Sequence, residues 1–269
     1  MLERITERGL VLLGCGKMGS AMLQGWLSRG VPPGAIWVIE PRPSDWLKST
    51  GVHLNEGVPE HAAVVVLAVK PQMMGDALPA VSRLGGGETL FLSIAAGTTI
   101  ATFESAFGST TPIVRAMPNT PAAVGRGISA ITGNTHAGED SLDLAQALLA
   151  VVGEVVRLEG EHQMDAVTAV SGSGPAYVFH LIEALAAAGI AEGLPEELSM
   201  QLARATVCGA GELAHQSPES AAQLRINVTS PGGTTAAALG VLMDEETGFP
   251  ALLRRAVKAA ADRGRELGK

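Results

Sequence analysis

The chain has little of what marks several common classes of protein. Aromatic residues make up 3% of its 269 residues, and it has 2 cysteines. Cys15 and Cys208 lie far apart with no CxxC or His–Cys spacing, so we expect neither a disulfide framework nor a metal site. The longest apolar run, Ala62–Val69, ends at Lys70 and is far too short to cross a bilayer. A net charge of −8 argues against a nucleic-acid partner.

Lysine is also scarce, and no lysine occurs between residues 71 and 257. The histidines are scattered and none lies in a recognisable catalytic motif. The N-terminus has mixed charge and no signal-peptide apolar stretch. We therefore expect a soluble, cytoplasmic protein whose reaction needs little acid–base help from side chains. Hydride transfer fits, because a cofactor carries that chemistry and the protein orients the reactants.

A glycine-rich turn near the N-terminus predicts a dinucleotide site. It follows the apolar run 9–13 and precedes residues 20–27, whose apolar residues recur at helical spacing. In G-x-G-x-x-G the first glycine permits a tight turn, the second a close approach to a pyrophosphate, and the third close packing of helix on strand. We expect the cofactor to be bound by Gly14, Gly16, Lys17, Met18 and Gly19.

The next apolar segment, 36–39, ends in Glu40, about where a ribose-binding acid is expected. A carboxylate there favours a free 2′-hydroxyl and therefore NADH. Arg42 and Ser44 lie just beyond and could instead bind a 2′-phosphate. We predict NADPH as the cofactor, with NADH as the alternative, and include Arg42 in the site.

The chain divides by pattern into an α/β half and a helical half. Several strand candidates are continuously apolar, as expected for strands covered by helices on both faces. They are 10–13, 36–39, 64–68, 90–93, 113–116, 128–132 and 154–158. After residue 162 only Ala- and Leu-rich helical segments follow. We predict a Rossmann-like, doubly wound sheet in a dinucleotide-binding domain over 1–160, and an all-helical substrate and dimerisation domain over 161–269.

Ligands of open α/β sheets bind beyond the carboxyl ends of the strands. Ala68, Lys70 and Pro71 follow one strand, and Asn119 follows another between two prolines. Lys70 could be a surface charge, and Asn119 could bond its own backbone in an Asx turn. We include all four in the cofactor site.

Two segments of the helical half are candidates for substrate binding. Val228–Thr235 contains Pro231, Gly232 and Gly233, and Thr234 or Thr235 could cap a new helix, leaving N–H groups free for a carboxylate or phosphate. An ordinary corner between helices is the alternative. Residues 171–177 place two glycines and a proline within an apolar pattern and predict a break or kink.

Taken in order, five motifs of this chain resemble those of the pyrroline-5-carboxylate reductase family. They are Gly14–Gly19, Ala68–Pro71, Arg115–Pro121, Ser171–Tyr177 and Val228–Thr235. The resemblance implies reduction of 1-pyrroline-5-carboxylate to L-proline with NADPH or NADH. It also implies a homodimer with interlocked helical domains, often assembled into a decamer of five dimers.

The resemblance also implies roles for individual residues. Thr235 would be catalytic, with its hydroxyl near the imine nitrogen. The substrate would be bound by Ser173, Gly174, Gly232, Gly233, Thr234 and Thr235, and Asn119 and Lys70 would line the nicotinamide-ribose region. Two alternatives stay open: a β-hydroxyacid dehydrogenase, against which the missing lysines count, and a non-catalytic dinucleotide sensor.

Overall fold

The computed structural model describes residues 2–268 and gives one mixed sheet and twelve α-helices in that range. The strands are β1 Leu10–Leu13, β2 Ile36–Ile39, β3 His53–Leu54, β4 Val64–Leu67, β5 Leu90–Ser93, β6 Ile113–Met117, β7 Gly127–Gly133 and β8 Gly153–Arg157. The helices of the first half are α1 Leu2–Arg8, α2 Lys17–Ser28, α3 Asp45–Lys48, α4 Met74–Ala77, α5 Ile100–Phe107 and α6 Glu139–Leu149. Those that follow are α7 Met164–Val167, α8 Gly174–Ala191, α9 Glu196–Gln216, α10 Ala221–Asn227, α11 Thr234–Leu242 and α12 Phe249–Leu267.

The sheet has the strand order β3-β2-β1-β4-β5-β6-β7-β8. Its first six strands are parallel, and their order is that of a dinucleotide-binding sheet. β7 is antiparallel to β6, and β8 is parallel to β7, so the last two strands run opposite to the rest. The predicted doubly wound sheet is confirmed. The two-residue strand β3 was not predicted, because it is too short to give a periodic signal.

Buried side chains cover both faces of this sheet. On one face, α2 and α6 pack against β1, β2 and β4, and the indole of Trp26 donates to the carbonyl of Leu148 at 2.8 Å. On the other face, Phe107 of α5 stacks on Phe91 of β5 and on Phe103 of its own helix. Residues of β1, β4 and β5 are buried throughout, which explains why their sequences are continuously apolar.

The chain forms two compact units. The dinucleotide unit comprises the residues up to Gly172 together with the segment from Ala261, and the helical unit comprises Ser173–Ala260. Residues 161–172 belong to the first unit because Glu161 pairs with Arg115 and Ser171 bonds Asn119. The boundary between the two compact units therefore lies after Gly172, twelve residues beyond the predicted domain boundary at residue 160. The boundary of the substrate domain itself stays a prediction.

Within the described chain no strand follows β8, so the second half is helical as predicted. α8 and α9 form an antiparallel pair, joined where the Ser199 hydroxyl donates to the carbonyl of Ala186 at 2.7 Å. The short helix α10 was not predicted. It begins at a Ser220 cap, whose hydroxyl accepts the N–H of Gln223 at 3.2 Å.

Candidate functional site

The glycine-rich turn after β1 has the geometry that a dinucleotide requires. Gly14 has φ +90°, and a Cβ there would lie 2.8 Å from Val69 and 3.0 Å from the carbonyl of Ala68. A Cβ at Gly19 would lie 2.6 Å from the Gly14 carbonyl oxygen. A Cβ at Gly16 would meet no atom within 4 Å, so this glycine borders open space. The three glycines thus meet the three separate requirements of the motif.

Helix α2 begins directly at this turn, with Gly16 as its N-cap. The first helical hydrogen bond runs from Ser20 N to Gly16 O at 2.8 Å, which leaves the N–H groups of Lys17, Met18 and Gly19 without helical acceptors. Lys17 is exposed, whereas the Met18 side chain packs against the core. Met18 therefore offers its N–H group, and the turn presents donors and a helix N-terminus to a pyrophosphate.

Glu40 lies at the end of β2 and is tied to the same turn. One carboxylate oxygen accepts the N–H of Cys15 at 2.8 Å and the other accepts the N–H of Arg42 at 3.0 Å. The Glu40 backbone is bonded on both sides by the amide of Asn55, at 2.9 and 3.0 Å. The acid predicted for the ribose site is thus held beside the phosphate turn, while the Arg42 side chain is exposed.

Residues at the end of β4 pack against the glycine-rich turn. Ala68 donates its N–H to Leu13 O at 2.8 Å, and its Cβ would lie 3.5 Å from a Cβ added at Gly19. Lys70 and Pro71 begin a short 3-10 helix, and both are exposed. Because β1, β2, β4 and β6 are parallel, the predicted cofactor residues that follow them meet at one edge of the sheet.

Asn119 follows β6 at that edge, but it does not form a local Asx turn. Its Oδ1 accepts the N–H of Ile128 at 2.9 Å, and its Nδ2 donates to the carbonyl of Ser171 at 3.3 Å. Ser171 lies in a π-helical turn, Thr168–Gly172. Asn119 therefore joins the start of β7 to the segment leading into α8 and keeps one amide hydrogen for a ligand.

The predicted break near residue 172 is this π-helical turn. It is followed by Ser173, the N-cap of α8, and by Gly174, where an added Cβ would meet nothing within 4 Å. Single π-helical turns occur frequently at functional sites. The Ser173 side chain accepts no capping hydrogen bond from the first turn of α8.

The turn before α11 leaves backbone N–H groups without acceptors, but the prediction of a threonine N-cap was wrong. The N-cap is Gly233, not a threonine, and Thr234 is the first helical residue. Gly232 has φ +69°, and Gly233 N donates to Ser230 O at 3.1 Å. The turn therefore ends at Gly233, and both threonines lie inside the helix, where they cannot act as its N-cap. The first helical bond runs from Ala237 N to Gly233 O. The N–H groups of Thr234, Thr235 and Ala236 are therefore left for an anion.

The pair Arg115–Glu161 was not predicted as part of the site. The Arg115 side chain is 6% exposed and its Nη1 lies 2.7 Å from Glu161 Oε1, which also accepts the N–H of Ile100 at 2.9 Å. Ile100 begins α5 directly after the loop that leaves β5. Glu161 therefore holds a loop at the carboxyl edge of the sheet. An arginine within an otherwise apolar strand was the available signal.

Cys15 lies within the phosphate turn, and burial raises the pKa of its thiol above the ordinary 9.0, with the Glu40 charge adding to this and a hydrogen bond from Ser20 opposing it. Since the thiolate is the reactive form and Cys15 is half-buried, we expect Cys15 to react at pH 8 with iodoacetamide more slowly in the folded protein than in urea. Labelling a Cys208→Ser variant, followed by mass spectrometry, isolates this thiol. Equal rates in both states would contradict the expectation.

Because the pKa of the Cys15 thiol is raised on folding, the contribution of this thiol to the stability of the fold is present below pH 9.0 and is lost as the pH rises above it.

Comparison with known proteins covers nearly the whole chain. Residues 161–267 match the family model described as pyrroline-5-carboxylate reductase dimerisation, and residues 9–97 match one described as NADP oxidoreductase, coenzyme F420-dependent. A pyrroline-5-carboxylate reductase of Synechocystis is 42% identical over 97% of this chain and 98% of its own length.

Solved structures agree with this relationship. A pyrroline-5-carboxylate reductase from Coxiella burnetii superposes with a TM-score of 0.90 at 35% identity, covering 97% of this chain and 99% of that one. The Plasmodium falciparum enzyme, solved with NADP bound, gives a TM-score of 0.82 at 30% identity, covering 98% and 99%. The chain belongs to the pyrroline-5-carboxylate reductase family.

Proposed function

We propose that this chain catalyses the NAD(P)H-dependent reduction of 1-pyrroline-5-carboxylate to L-proline, the last step of proline synthesis. The observation that carries the proposal is a glycine turn built for a dinucleotide together with a second open-donor turn before α11, in a member of this family. A dinucleotide sensor needs only the first turn.

In the dinucleotide unit, the residues present fit the cofactor. The turn 14–19 would hold the pyrophosphate, and residues beyond β4 and β6, including Lys70, Pro71 and Asn119, would line the path toward the nicotinamide. The reduced nicotinamide, when bound, supplies the hydride. The protein supplies a closely packed turn, because Gly14 lies against Ala68 and Val69 and Gly19 lies against Gly14 with no space for a Cβ.

In the helical unit, the turn 232–235 would bind the substrate carboxylate through the N–H groups at the start of α11. The substrate is a cyclic imine whose C=N carbon accepts hydride readily, most easily with its nitrogen protonated. Thr235 is half-buried, and its hydroxyl bonds no other described residue. We assign to that hydroxyl the hydrogen bond to the imine nitrogen, with Ser173 and Gly174 as further substrate contacts.

The helical unit also indicates self-association. In α8 only Ala186 is buried, and α10 and α11 bury no residue, although apolar side chains such as Phe179, Leu213 and Val241 are exposed. The stretch Glu161–Ala191 is apolar and long enough to span a membrane by length and composition, with 6% of its window buried in the single chain. The match to a dimerisation family supports a second copy of the chain as what covers it. We propose a homodimer, assembling as five dimers into a decamer, in the cytoplasm.

The test of the function is oxidation of NADPH, and separately of NADH, by the purified protein with pyrroline-5-carboxylate, with proline identified as the product. Turnover with either dinucleotide supports the proposal. Tight dinucleotide binding without turnover would instead support the sensor.

Gly233→Val tests the division of roles between the two turns. A Cβ at residue 233 would lie 2.5 Å from Ser230 Oγ and 3.2 Å from Ser230 O, so the Ser230 hydroxyl must rotate and its carbonyl must shift, which disturbs the turn. We expect KM for pyrroline-5-carboxylate to rise about tenfold or more, as for loss of a charge-assisted hydrogen bond, with the dinucleotide Kd unchanged. Gly240→Ala is the control, since its Cβ enters open space in the same helix. Equal loss of both affinities in folded Gly233→Val protein would refute the division.

A further inference from the structure

We propose that Glu40 makes the dinucleotide site select NADH over NADPH. The inference deepens the proposed function, since it concerns the cofactor of the same site, and it reverses the order of preference predicted from the sequence. It depends on how the Glu40 carboxylate is held, on what it can still accept, and on which charges lie near it.

The carboxylate is fixed in place. Its two oxygens accept the N–H groups of Cys15 and Arg42 at 2.8 and 3.0 Å, and the Asn55 amide bonds the Glu40 backbone on both sides. Asn55 itself has φ +57°, a conformation that asparagine tolerates better than most residues. Rotating the side chain away from the site would break two hydrogen bonds, one to Cys15 in the turn that would bind the pyrophosphate and one to the backbone of Arg42. Glu40 therefore stays at the end of β2 when a dinucleotide enters.

The fixed carboxylate can accept further donors but cannot tolerate a second anion. Its two oxygens offer about four lone-pair positions, of which two are used. In dinucleotide-binding sheets the acid at this position accepts a hydrogen bond from the ribose 2′-hydroxyl. A 2′-phosphate has two negative charges or nearly so, and it offers no donor at neutral pH. The 2′-hydroxyl of NADH would thus donate a hydrogen bond to the Glu40 carboxylate, whereas the 2′-phosphate of NADPH would be repelled by it.

No cation compensates the Glu40 charge in the described chain, residues 2–268. Arg42 contacts Glu40 through its backbone N–H, while its guanidinium is exposed and makes no ion pair there. The nearby Lys48 pairs with Asp45, and His53 pairs with Glu56. Of the two residues predicted to bind a 2′-phosphate, Ser44 is uncharged and its hydroxyl oxygen caps α3. Arg42 carries the positive charge, and it would act from solvent against a fixed neighbouring carboxylate.

The experiment is calorimetric titration of the purified protein with NADH and with NADPH, without substrate. We expect NADH to bind on the order of tenfold more tightly, since like charges brought together disfavour a ligand by several-fold to many-fold. Glu40→Gln keeps the size of the side chain and removes its charge, and it should raise NADPH affinity until the two Kd values are nearly equal. Glu60→Gln makes the same charge change at an exposed position of the same unit and should leave the ratio of Kd values at the wild-type figure.

Several results would overturn the proposal: tighter or equal binding of NADPH by the wild type, an unchanged ratio in folded Glu40→Gln protein, or no binding of either dinucleotide. Arg42→Ala gives a further check, because a selective loss of NADPH binding from a wild type that prefers NADPH would assign the selectivity to Arg42. The titration needs no imine substrate. NADH preference without proline formation would reject the proposed reaction alone, and proline formation with NADPH preference would reject this inference alone.

Discussion

Replacing Gly19 with alanine is expected to weaken dinucleotide binding at least 100-fold and to destabilise the fold by about 1–3 kcal/mol. The added Cβ would lie 2.6 Å from the carbonyl oxygen of Gly14, a backbone atom that cannot rotate away. Helix α2 must therefore move off β1, at a cost typical of overpacking. The same movement displaces the N–H groups at the start of α2, and loss of two hydrogen bonds to a charged pyrophosphate, at about 1.5 kcal/mol or more each, weakens binding about 100-fold.

Gly16→Ala separates binding from stability in the same turn. Its Cβ would meet no protein atom within 4 Å, so thermal unfolding should be unchanged while dinucleotide affinity falls, because the methyl group occupies space that the pyrophosphate needs. Gly34→Ala, also in open space but outside the turn, should change neither. Differential scanning calorimetry and NADH titration of the three variants measure both quantities. Normal NADH affinity in Gly19→Ala protein would contradict the assignment of the turn.

Local patterns predicted the parts of the site that depend on neighbours in sequence. The glycine turn could be predicted because strand, turn and helix are consecutive, and an added Cβ at Gly19 would meet the carbonyl oxygen of Gly14, five positions earlier. The central strands β1, β4 and β5 could be predicted because both faces of the sheet are covered there and their residues are buried throughout. The cap of α11 could not, because threonine and glycine are both good N-caps and only the Ser230–Gly233 turn decides between them.

Interactions between distant residues could not be derived from the sequence. Asn119 was expected either to bond locally or to face the cofactor, yet its carbonyl oxygen is used by Ile128 and its amide by Ser171, 52 positions away. Nothing in the prolines around Asn119 identifies those partners. Glu40 is a similar case, since its position predicts a ribose contact but not the bond to Cys15 that fixes its carboxylate.

The Arg115–Glu161 pair gives the second large expected effect. Glu161→Ala would leave the Arg115 guanidinium, 6% exposed, without its carboxylate and would also free the N–H of Ile100. Removing one partner of a buried ion pair costs about 3–5 kcal/mol. Glu161 is itself 31% exposed, so water can partly solvate the arginine, and we expect a loss near the lower figure, about 3 kcal/mol.

A double variant tests whether the instability of Glu161→Ala comes from the uncompensated charge of Arg115 or from the lost hydrogen bond to Ile100. Arg115→Met combined with Glu161→Ala removes both charges, and most of the lost stability should return, since replacing a whole buried pair by apolar groups is often neutral. Glu88→Ala, which removes the exposed partner of Arg8, should have little effect in urea unfolding. If the double variant is as unstable as Glu161→Ala alone, the carboxylate acts chiefly on Ile100 and the start of α5. The loop beyond β5 would then be held by a helix N-terminus rather than by an arginine.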